Sequence, residues 1–375
     1  MMNDLGEIAL YLPDLPPGGA ERTLLRLGKA LIARGHRVVL VVDRAEGTLL
    51  PAVAEHGLTL ESLEAPRTVA AIPRLTRWLK RRRPAILLSA VTFANLVALM
   101  AGRLARVPTR IVVSEHTVAS QHAADHSNWQ YRLVPFLSRK LYPKAAAVVA
   151  VAQGVADDLV TMTGMASDQI QVITNPVVTP EYPQRAAAAV DHPWLSDGGG
   201  APVIVTAGRL VSVKDFPTMI RALGLLREQC PARLIIMGEG EDLEDLKALR
   251  HTLGLDESVD FAGFHPDPLP FYARADLVAV SSLFEGFGLT LVESMAVGTP
   301  VVSVDCPVGP REILQNGRYG PLTPVGDANA LAQAMSEVLD APLDSETLKA
   351  STANYTVEAV TDAYESLFAT VVSEG

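Results

Sequence analysis

Two glutamates separated by seven residues mark the segment of the chain with the clearest chemical potential. Glu285 and Glu293 lie in the string Ser281-Ser-Leu-Phe-Glu-Gly-Phe-Gly-Leu-Thr-Leu-Val-Glu, which follows a short apolar run. Gly286 and Gly288 permit close approach of the backbone to a ligand, and free N–H groups at the start of a following helix can bind phosphate oxygens. Carboxylates accept hydrogen bonds from sugar and ribose hydroxyls. The same spacing also describes a capped, solvated helix, so other segments must support a binding site.

A second segment supplies two cations after another apolar run. It reads Thr206-Ala-Gly-Arg-Leu-Val-Ser-Val-Lys-Asp-Phe and places Arg209 and Lys214 in a loop. Guanidinium and ammonium groups bind diphosphates, and positioned cations stabilise the charge that develops on a departing diphosphate. Arg and Lys in a loop are otherwise ordinary surface residues.

Two shorter strings in the same half are weaker indications of a ligand site. Gly238-Glu239-Gly240 closes a predicted strand, and Phe264 follows the next predicted strand in the string Ala-Gly-Phe-His. A Gly-x-Gly after a strand is also a common turn, so these strings alone do not distinguish a site from a simple connection.

The first half carries a glycine loop and one histidine of interest. Gly18 and Gly19, in Pro-Pro-Gly-Gly-Ala-Glu-Arg, link the first predicted strand to the first predicted helix and permit backbone approach to a phosphate. Glu21 is a candidate ligand contact, although glutamate in a first helical turn also stabilises the helix dipole. His116, in Ser-Glu-His-Thr, falls at the carboxyl end of a predicted strand, where open α/β sheets bind ligands. A single histidine is otherwise more often a structural hydrogen-bonding group.

Alternating apolar runs and helical patterns position these segments, which is typical of parallel α/β folds. Because the runs are continuously apolar, we expect the strands to be buried on both faces. The predicted strands are 8–12, 37–42, 85–90, 110–114 and 146–150 in the first half, and 203–207, 233–237, 259–261, 277–281 and 301–304 in the second. Proline and glycine over 174–200 predict a linker, and helical spacing over 357–371 predicts a terminal helix.

Together these strings resemble family 4 retaining glycosyltransferases of the bacterial glycan- and polysaccharide-assembly type. The likeness covers nearly the whole chain, and the glutamate segment is similar to the family's Glu-x7-Glu motif, with Ser294 and Asp215 in place of a common alanine and a common glycine. The resemblance implies an α/β fold of two Rossmann-like domains facing a central cleft, the GT-B architecture. It implies an acceptor-side domain over 1–177 and a donor-binding domain over 178–355, with helix 356–375 a candidate to pack back on the first.

The resemblance also implies roles for particular residues. The implied catalytic residues are His116, Glu285, Arg209 and Lys214, and the implied acceptor contacts are Glu21 and His116. The implied contacts of the nucleotide-sugar donor are Gly18, Gly19, Arg209, Lys214, Gly238, Glu239, Phe264, Glu285, Gly286, Phe287, Gly288, Leu289, Thr290 and Glu293. Neither a metal nor a cofactor is implied, and the leaving phosphate, not His116, is implied as the base for the acceptor's proton.

Composition limits the class of protein. The 375 residues are 49% hydrophobic and 20% charged, as expected for two ordinary folded domains. The two cysteines, Cys230 and Cys306, have no disulfide-framework or metal-like spacing, and the N-terminal segment lacks the features of a signal peptide, so we expect a cytoplasmic protein. The longest uncharged stretch, 85–102, contains polar residues and predicts a strand and helix, not a membrane span.

Charge is distributed unequally between the halves and suggests a surface for lipid. Residues 1–180 carry a net charge of +6 and the remainder −16, which together give −10. Basic amphipathic segments over 72–83 and 129–144 support the hypothesis of peripheral contact with anionic lipid at the inner face of the cytoplasmic membrane. The alternative for each segment is a core helix with a solvated basic back. Nucleic acid is not an expected partner, since aromatic residues are few and no recognition motif is present.

The function implied by the family resemblance is retaining, metal-independent transfer of a hexose or N-acetylhexosamine. The donor is expected to be a nucleotide sugar. UDP is the expected nucleotide because it is the commonest in the family, with GDP and ADP as alternatives. The acceptor is expected to be a hydroxyl of a glycan or lipid-linked molecule. A nucleotide-sugar epimerase and a glycan phosphorylase share the architecture and are alternatives, as is a catalytically silent sugar-nucleotide-binding protein.

Overall fold

The computed structural model describes residues 5–118, 120, 133–196 and 200–374. The chain divides into two compact units, the first formed by residues 1–176 with 355–375 and the second by 177–354. Each unit is a parallel β-sheet covered by helices, so the α/β class predicted from the alternating pattern is confirmed.

The first unit contains a seven-stranded sheet in the order β3-β2-β1-β4-β5-β6-β7, with neighbouring strands parallel. Its strands are β1 Glu7–Leu12, β2 Arg37–Val42, β3 Thr59–Ser62, β4 Ile86–Ala90, β5 Arg110–Glu115, β6 Ala147–Ala150 and β7 Ile170–Val172. The central strand β1 is buried along nearly its whole length, because helices cover both faces of a parallel sheet.

The helices of the first unit alternate with its strands along the chain. Those described are Gly19–Ala33, Leu50–Glu55, Thr68–Arg82, Thr92–Ala105, Val134–Leu141, Gln153–Thr163 and the C-terminal Val357–Ser373. Helix Gly19–Ala33 buries Leu24, Leu27 and Leu31, whose spacing places them on one face of the helix.

The C-terminal helix Val357–Ser373 belongs to the first unit, although it follows the second unit in sequence. Tyr364 and Phe368 are buried in the core of the first unit, at 1% and 0% exposure. Arg34, just beyond helix Gly19–Ala33, forms ion pairs with Asp362 and Glu365 of the C-terminal helix. The helix is therefore held by an apolar face and by charges at its edge.

The second unit contains a six-stranded sheet in the order β10-β9-β8-β11-β12-β13. Its strands are β8 Val203–Ala207, β9 Arg233–Met237, β10 Val259–Gly263, β11 Leu277–Val280, β12 Val301–Val304 and β13 Leu322–Thr323. The helices described are Tyr182–Ala186, Pro193–Ser196, Phe216–Leu226, Leu243–Thr252, Leu269–Tyr272, Leu289–Ala296, Pro310–Ile313, Ala328–Asp340 and Ser345–Ser351.

Both sheets have the strand order of nucleotide-binding folds, with the order reversing beside the first strand of the unit. The reversal lies between β1 and β4 in the first unit and between β8 and β11 in the second. Helices leave in opposite directions at such a point and open a crevice at the carboxyl ends of the strands. Residues that follow β8 and β11 are therefore placed where a ligand can bind.

Each predicted strand is present, within two residues of its predicted limits. Three observed strands, β3, β7 and β13, lie at sheet edges and were not predicted. They contain two to four residues and have partly exposed side chains, so they lack the long apolar run that marks a buried strand.

The proline-rich stretch predicted as a linker is part of the second unit over most of its described length. Within it, Tyr182 is buried and Arg185 makes a bidentate ion pair with Asp267 at 2.8 and 2.9 Å. His192 lies 3.2 Å from a carboxylate oxygen of Asp260. The stretch therefore packs against the second unit through side chains, while its residues 197–199 lie outside the described part of the chain.

Candidate active site

The most specific contact among the predicted site residues joins Lys214 to Glu285. The Lys214 ammonium Nζ donates to Glu285 Oε1 at 2.6 Å, and the side chains are 24% and 15% exposed. Ser282 Oγ donates to the same carboxylate oxygen at 2.7 Å. The carboxylate is therefore held by two donors while remaining accessible to a ligand.

Backbone contacts fix the two loops that carry this pair. Ser281 Oγ donates to the Lys214 carbonyl at 3.0 Å, and Leu283 N–H donates to the Val213 carbonyl at 2.9 Å. These loops follow the neighbouring strands β11 and β8. The Lys214–Glu285 pair thus lies at the point where the strand order of the second sheet reverses.

Asp215 shows how the chain tolerates its departure from the common Lys-Gly pattern. Its backbone is left-handed, with φ +45°, a conformation that glycine adopts without a steric penalty. Its carboxylate accepts a hydrogen bond from Thr218 N–H and caps helix Phe216–Leu226. Aspartate is one of the few other residues that adopt this conformation, and the cap offsets part of its cost.

Gly238 and Gly240 place the loop after β9 directly against the loop after β8. Gly238 has φ +140°, and a Cβ there would lie 1.9 Å from the Gly208 carbonyl oxygen. A Cβ at Gly240 would lie 2.2 Å from the Leu210 carbonyl oxygen. These predicted donor contacts therefore have a structural requirement for glycine, independent of any ligand.

The loop after β12 packs against the loop that carries Glu285 and Phe287. Gly309 has φ +96°, and a Cβ there would lie 1.9 Å from the Phe287 carbonyl oxygen. Cys306 is buried, which raises the pKa of its thiol to about 12, and the charge of Glu285 adds to this shift. Cys306 and Gly309 were not among the predicted site residues, although both lie in one string with a Pro-Val-Gly-Pro turn.

The remaining residues of the glutamate segment form the start of helix Leu289–Ala296. Gly288 is the N-cap residue with φ +103°, and Phe287 is buried at 6% exposure. Leu289 and Thr290 begin the helix, and Gly286 lies half-buried in the loop before it. The helix start and the carboxylate of Glu285 thus belong to one continuous turn.

Glu293 has surroundings different from those of Glu285. It lies half-buried within helix Leu289–Ala296. Burial raises the pKa of the Tyr272 phenol well above its usual value, and the negative charge of Glu293 adds to the effect. The segment therefore places its two carboxylates in separate environments.

Three further predicted donor contacts lie exposed at the carboxyl edge of the second sheet. Arg209 follows β8, Glu239 follows β9 and Phe264 follows β10, where its side chain is 57% exposed. Arg209 has no ion-pair partner among the residues that the structure describes. Its guanidinium therefore remains available to an anion.

In the first unit, Glu21 folds back over the glycine loop. A Cβ at Gly18 would lie 2.1 Å from Glu21 Oε2, so glycine makes room for this carboxylate. Gly18 is the N-cap residue and Gly19 the first residue of helix Gly19–Ala33. Burial raises the pKa of Glu21, its own backbone N–H opposes the shift, and Asp14 adds to it. This geometry gives Glu21 a local structural role beside its predicted acceptor role.

His116 is buried at the carboxyl end of β5, with 6% exposure. Its Nε2 lies 3.1 Å from Ser114 Oγ, and its Nδ1 is buried without a hydrogen-bond partner in the described residues. Burial lowers the pKa of His116 to about 4. The ring is therefore neutral near pH 7.

A buried polar network beside His116 was not predicted from the sequence. The Glu115 carboxylate is fully buried and accepts hydrogen bonds from Thr92 Oγ1 and the Tyr142 hydroxyl, each at 2.9 Å. Asn95 Nδ2 donates to the Ser114 carbonyl at 2.9 Å. The available signal was a glutamate within a buried strand, because full burial of glutamate normally requires partners.

The first basic segment, 72–83, lies in helix Thr68–Arg82, which packs into the core of the first unit. This agrees with the alternative of a core helix with a solvated basic back. In helix Thr68–Arg82, Leu75, Trp78 and Leu79 are buried, and Trp78 Nε1 donates to Glu61 at 2.6 Å. The apolar side chains Leu75, Trp78 and Leu79 therefore pack within the first unit.

The second basic segment differs from the first in its exposed apolar residues. Leu133 and Phe136 are 44% and 56% exposed, and Lys140 Nζ lies 4.2 Å from the centre of the Phe136 ring. Residues 129–132 of this predicted segment lie outside the described part of the chain. Its described helix begins at Val134, with Pro135 in the first turn, where proline is well tolerated.

Neither a cluster of metal ligands nor a membrane-spanning helix occurs in the described part of the chain. Among those residues, no three His, Cys, Asp or Glu side chains are grouped to hold a metal ion. None of the described helices combines the length and the apolar character that a membrane span requires.

Two parallel sheets in the strand order of nucleotide-binding folds, with a lysine–glutamate pair at one switch point, define a two-unit α/β protein of the doubly wound class. A family profile described as Glycosyltransferase Family 4 matches residues 17–223, and one described as Glycosyl transferases group 1 matches residues 201–341. The chain belongs to glycosyltransferase family 4.

Curated relatives include two bacterial glycosyltransferases. An N-acetylgalactosamine-N,N'-diacetylbacillosaminyl-diphospho-undecaprenol 4-alpha-N-acetylgalactosaminyltransferase of Campylobacter jejuni is 27% identical over 89% of this chain and 90% of the relative. The lipopolysaccharide core biosynthesis glycosyltransferase LpsE of Rhizobium meliloti is 34% identical over 54% of this chain and 58% of its own length.

Solved structures share the fold at low identity. HepE of Anabaena in complex with UDP is 22% identical, with a TM-score of 0.80 over 97% of this chain and 100% of that chain. The lipopolysaccharide outer core galactosyltransferase WaaB is 18% identical, with a TM-score of 0.77 over 97% of this chain and 99% of its own. These likenesses establish the GT-B fold.

Proposed function

We propose that this glycosyltransferase moves a hexose or N-acetylhexosamine from a UDP-sugar to a hydroxyl of a glycan or lipid-linked acceptor, with retention of anomeric configuration and without a metal. In this proposal the second unit binds the donor and the first unit the acceptor. The observation that carries it is the Lys214–Glu285 contact at 2.6 Å, at the switch point of the second sheet.

The second unit contains the groups needed for a sugar diphosphate. Lys214 and the exposed Arg209 supply positive charge for the diphosphate, which stabilises the negative charge that grows as the sugar–phosphate bond breaks. Glu285 accepts hydrogen bonds from hydroxyls of the transferred sugar, and Glu293 accepts them from the ribose. Backbone N–H groups after Gly288 bind phosphate oxygens, because the start of a helix carries partial positive charge.

In the proposed chemistry His116 binds the transferred sugar and does not act as the base. Burial lowers the pKa of His116 to about 4, so its ring has little affinity for a proton near pH 7. The acceptor hydroxyl attacks the anomeric carbon on the face from which the diphosphate departs. A phosphate oxygen of the leaving group takes the acceptor's proton as the new glycosidic bond forms and the sugar–phosphate bond breaks.

The names of relatives and neighbours support the substrate classes. The Campylobacter jejuni relative is named for transfer of N-acetylgalactosamine to a diphospho-undecaprenol-linked sugar, and the Rhizobium meliloti relative for lipopolysaccharide core biosynthesis. HepE of Anabaena has been solved with UDP and with UDP-glucose. We therefore propose that the reaction belongs to polysaccharide or glycan assembly.

A lipid-linked acceptor gives a reason for contact with an anionic membrane. The exposed Leu133 and Phe136 side chains, with the neighbouring cations Arg139 and Lys140, combine apolar and basic groups on one short segment. Such a combination favours partition into the headgroup region of an anionic bilayer. We propose this segment, rather than helix Thr68–Arg82, as the membrane-contacting surface.

The proposal is tested by thermal shift with UDP-, GDP- and ADP-sugars, followed by NMR of the product formed from the stabilising donor. A ligand that binds only the folded protein raises its melting temperature. We expect stabilisation by a UDP-sugar and a product with the anomeric configuration of the donor. Inverted product rejects the retaining mechanism. Donor epimerisation without an acceptor, phosphate-dependent glycan cleavage, or donor binding without turnover identifies one of the three alternatives.

A further inference from the structure

The Glu115 carboxylate joins the ends of two strands in the first unit. Glu115 is the last residue of β5, and Thr92, which donates to its Oε1 at 2.9 Å, begins the helix that follows β4. The Tyr142 hydroxyl donates to Oε2 at 2.9 Å, and the backbone N–H of His116 also donates to the carboxylate. One buried carboxylate thus fixes the turn into His116 and the start of the helix after β4.

The turn that Glu115 holds contains a strained residue. Val91, between β4 and Thr92, has φ +69° and ψ 143°. A β-branched side chain at positive φ is sterically unfavourable and is maintained only where the surroundings impose it. Ser89 before Val91 and Asn95 after it are hydrogen-bonded to each other, and Asn95 donates to the Ser114 carbonyl at 2.9 Å. The network therefore restrains the turn from both sides.

The ring of His116 belongs to a different set of contacts from Glu115. Its Nε2 faces Ser114 Oγ at 3.1 Å, while its Nδ1 is buried and has no partner in the described residues. Two contacts lead from Glu115 towards the ring. The His116 backbone N–H donates to the carboxylate, and Asn95 Nδ2, 3.5 Å from Glu115 Oε2, also donates to the carbonyl of Ser114. Glu115 therefore acts on the ring through the backbone of Ser114 and His116.

We propose that Glu115 is a positioning residue for sugar transfer, which holds His116 and the Val91–Thr92 turn in the geometry that the transferred sugar requires. The inference rests on the proposed contact between His116 and that sugar. It adds a role for Thr92, whose hydroxyl is the link between Glu115 and the strained turn. Loss of this link leaves the charged groups of the second unit unchanged, so donor diphosphate binding should be preserved.

The test compares Thr92→Val, which removes the hydroxyl but keeps the branched shape, with Thr92→Ser, which keeps the hydroxyl. We expect Thr92→Val to lower kcat about ten- to hundredfold, since small displacements of a reacting group have effects of this size. The KM for the donor and the thermal shift with UDP should stay within about twofold of wild type. Thr92→Ser should restore most of kcat, and Glu115→Gln should behave as Thr92→Val does.

Thr76→Val is the matched control, because it removes another threonine hydroxyl in the first unit, one that donates to Ile72 O at 2.7 Å within its own helix. Its kcat should equal that of wild type even if its melting temperature falls. The proposal is overturned if Thr92→Val has wild-type kcat, or if Thr92→Ser and Thr76→Val lose activity to the same extent as Thr92→Val. Should Glu115→Gln fail to fold, the three threonine variants still decide the question.

A His116→Ala variant separates this inference from the proposed function. Full activity of His116→Ala removes the proposed sugar contact, and with it the basis for positioning by Glu115. Loss of activity in His116→Ala together with wild-type kcat in Thr92→Val leaves the sugar contact in place and rejects only the positioning role.

Discussion

Lys214 and Glu285 are 71 residues apart in sequence, yet their Nζ and Oε1 atoms lie 2.6 Å apart. Oε1 also accepts a hydrogen bond from Ser282, whereas Oε2 accepts none from the described residues. One carboxylate oxygen therefore holds the two loops together, and the other remains available to a sugar hydroxyl. The contact links the fold directly to the proposed chemistry, because it exists only where β8 and β11 are adjacent.

Substitution of Gly238 by alanine should destabilise the second unit and weaken donor binding. The new Cβ would lie 1.9 Å from the Gly208 carbonyl oxygen at a φ of +140°, so the loop carrying Arg209 must move. We expect a loss of about 3 kcal/mol in the free energy of unfolding, measured with urea.

The control for this prediction is Gly254→Ala. Gly254 has φ +66°, and a Cβ added there would have no atom within 4 Å, so only the backbone penalty of about 1 kcal/mol applies. Equal losses in the two variants would show that the close approach of the two loops does not matter.

Burial of neutral His116 should make stability depend on pH below neutrality. The pKa of His116 is about 4 in the folded protein and 6.5 ordinarily, so the unfolded chain binds a proton first as the pH falls. Its contribution is fully present above pH 6.5 and is lost as the pH falls through 4. Linkage gives about 3 kcal/mol between pH 7 and pH 4.

Urea unfolding of wild type, His116→Gln and His251→Gln at both pH values measures this contribution. The stability difference between pH 7 and pH 4 should shrink by about 3 kcal/mol in His116→Gln. It should be unchanged in His251→Gln, since the side chain of His251 is 84% exposed. An unchanged difference in His116→Gln contradicts the burial of a neutral ring.

Shortening a buried side chain of the C-terminal helix should destabilise the first unit. This helix belongs to that unit, although the unit's other elements lie before residue 177. Phe368 is fully buried, and Phe368→Ala should cost about 3–5 kcal/mol in the free energy of unfolding. Val372, on the same helix, is 37% exposed, and Val372→Ala should cost less than about 1 kcal/mol. A small loss for Phe368→Ala would contradict the packing of this helix.

Vesicle binding distinguishes the second basic segment from helix Thr68–Arg82. Phe136→Glu should abolish sedimentation with vesicles containing anionic lipid, because it removes an exposed apolar side chain beside Arg139 and Lys140. Val69→Glu changes a similarly exposed apolar residue, at 59% exposure, in helix Thr68–Arg82 and should bind as wild type does. Binding should weaken as salt is raised. Wild-type binding by Phe136→Glu, or none by wild type, rejects the proposed surface.

The residue types of the proposed donor site could be recognised in the sequence, whereas the contacts that hold these residues could not. Glycine, lysine and glutamate were recognisable in their strings because their types and spacing suit a sugar diphosphate. The close approach of Gly238 to the Gly208 carbonyl oxygen and the contact of Lys214 with Glu285 join loops that are distant in sequence. Such contacts follow from strand order, which a pattern along the chain does not specify.

The network around Glu115 shows most clearly which contacts could not be predicted from the sequence. Its partners Thr92 and Tyr142 lie 23 and 27 residues away, on different elements, and neither carries a motif. The short edge strands β3, β7 and β13 escaped prediction for a related reason, because partial exposure removes the continuous apolar run. The central strands were predictable, since burial on both faces makes that run unavoidable.

We propose above all that Lys214 and Glu285 bind the sugar diphosphate of the donor during transfer. Measuring the acceptor-dependent release of UDP by Lys214→Met tests this proposal most directly. Lys247→Met is the control, because Lys247 also pairs with a glutamate, Glu244 at 2.8 Å, but on an exposed helix of the same unit. We expect release to fall at least about a thousandfold in Lys214→Met, as for loss of a transition-state charge contact, and to be unchanged in Lys247→Met. Wild-type release by a folded Lys214→Met protein would contradict the account.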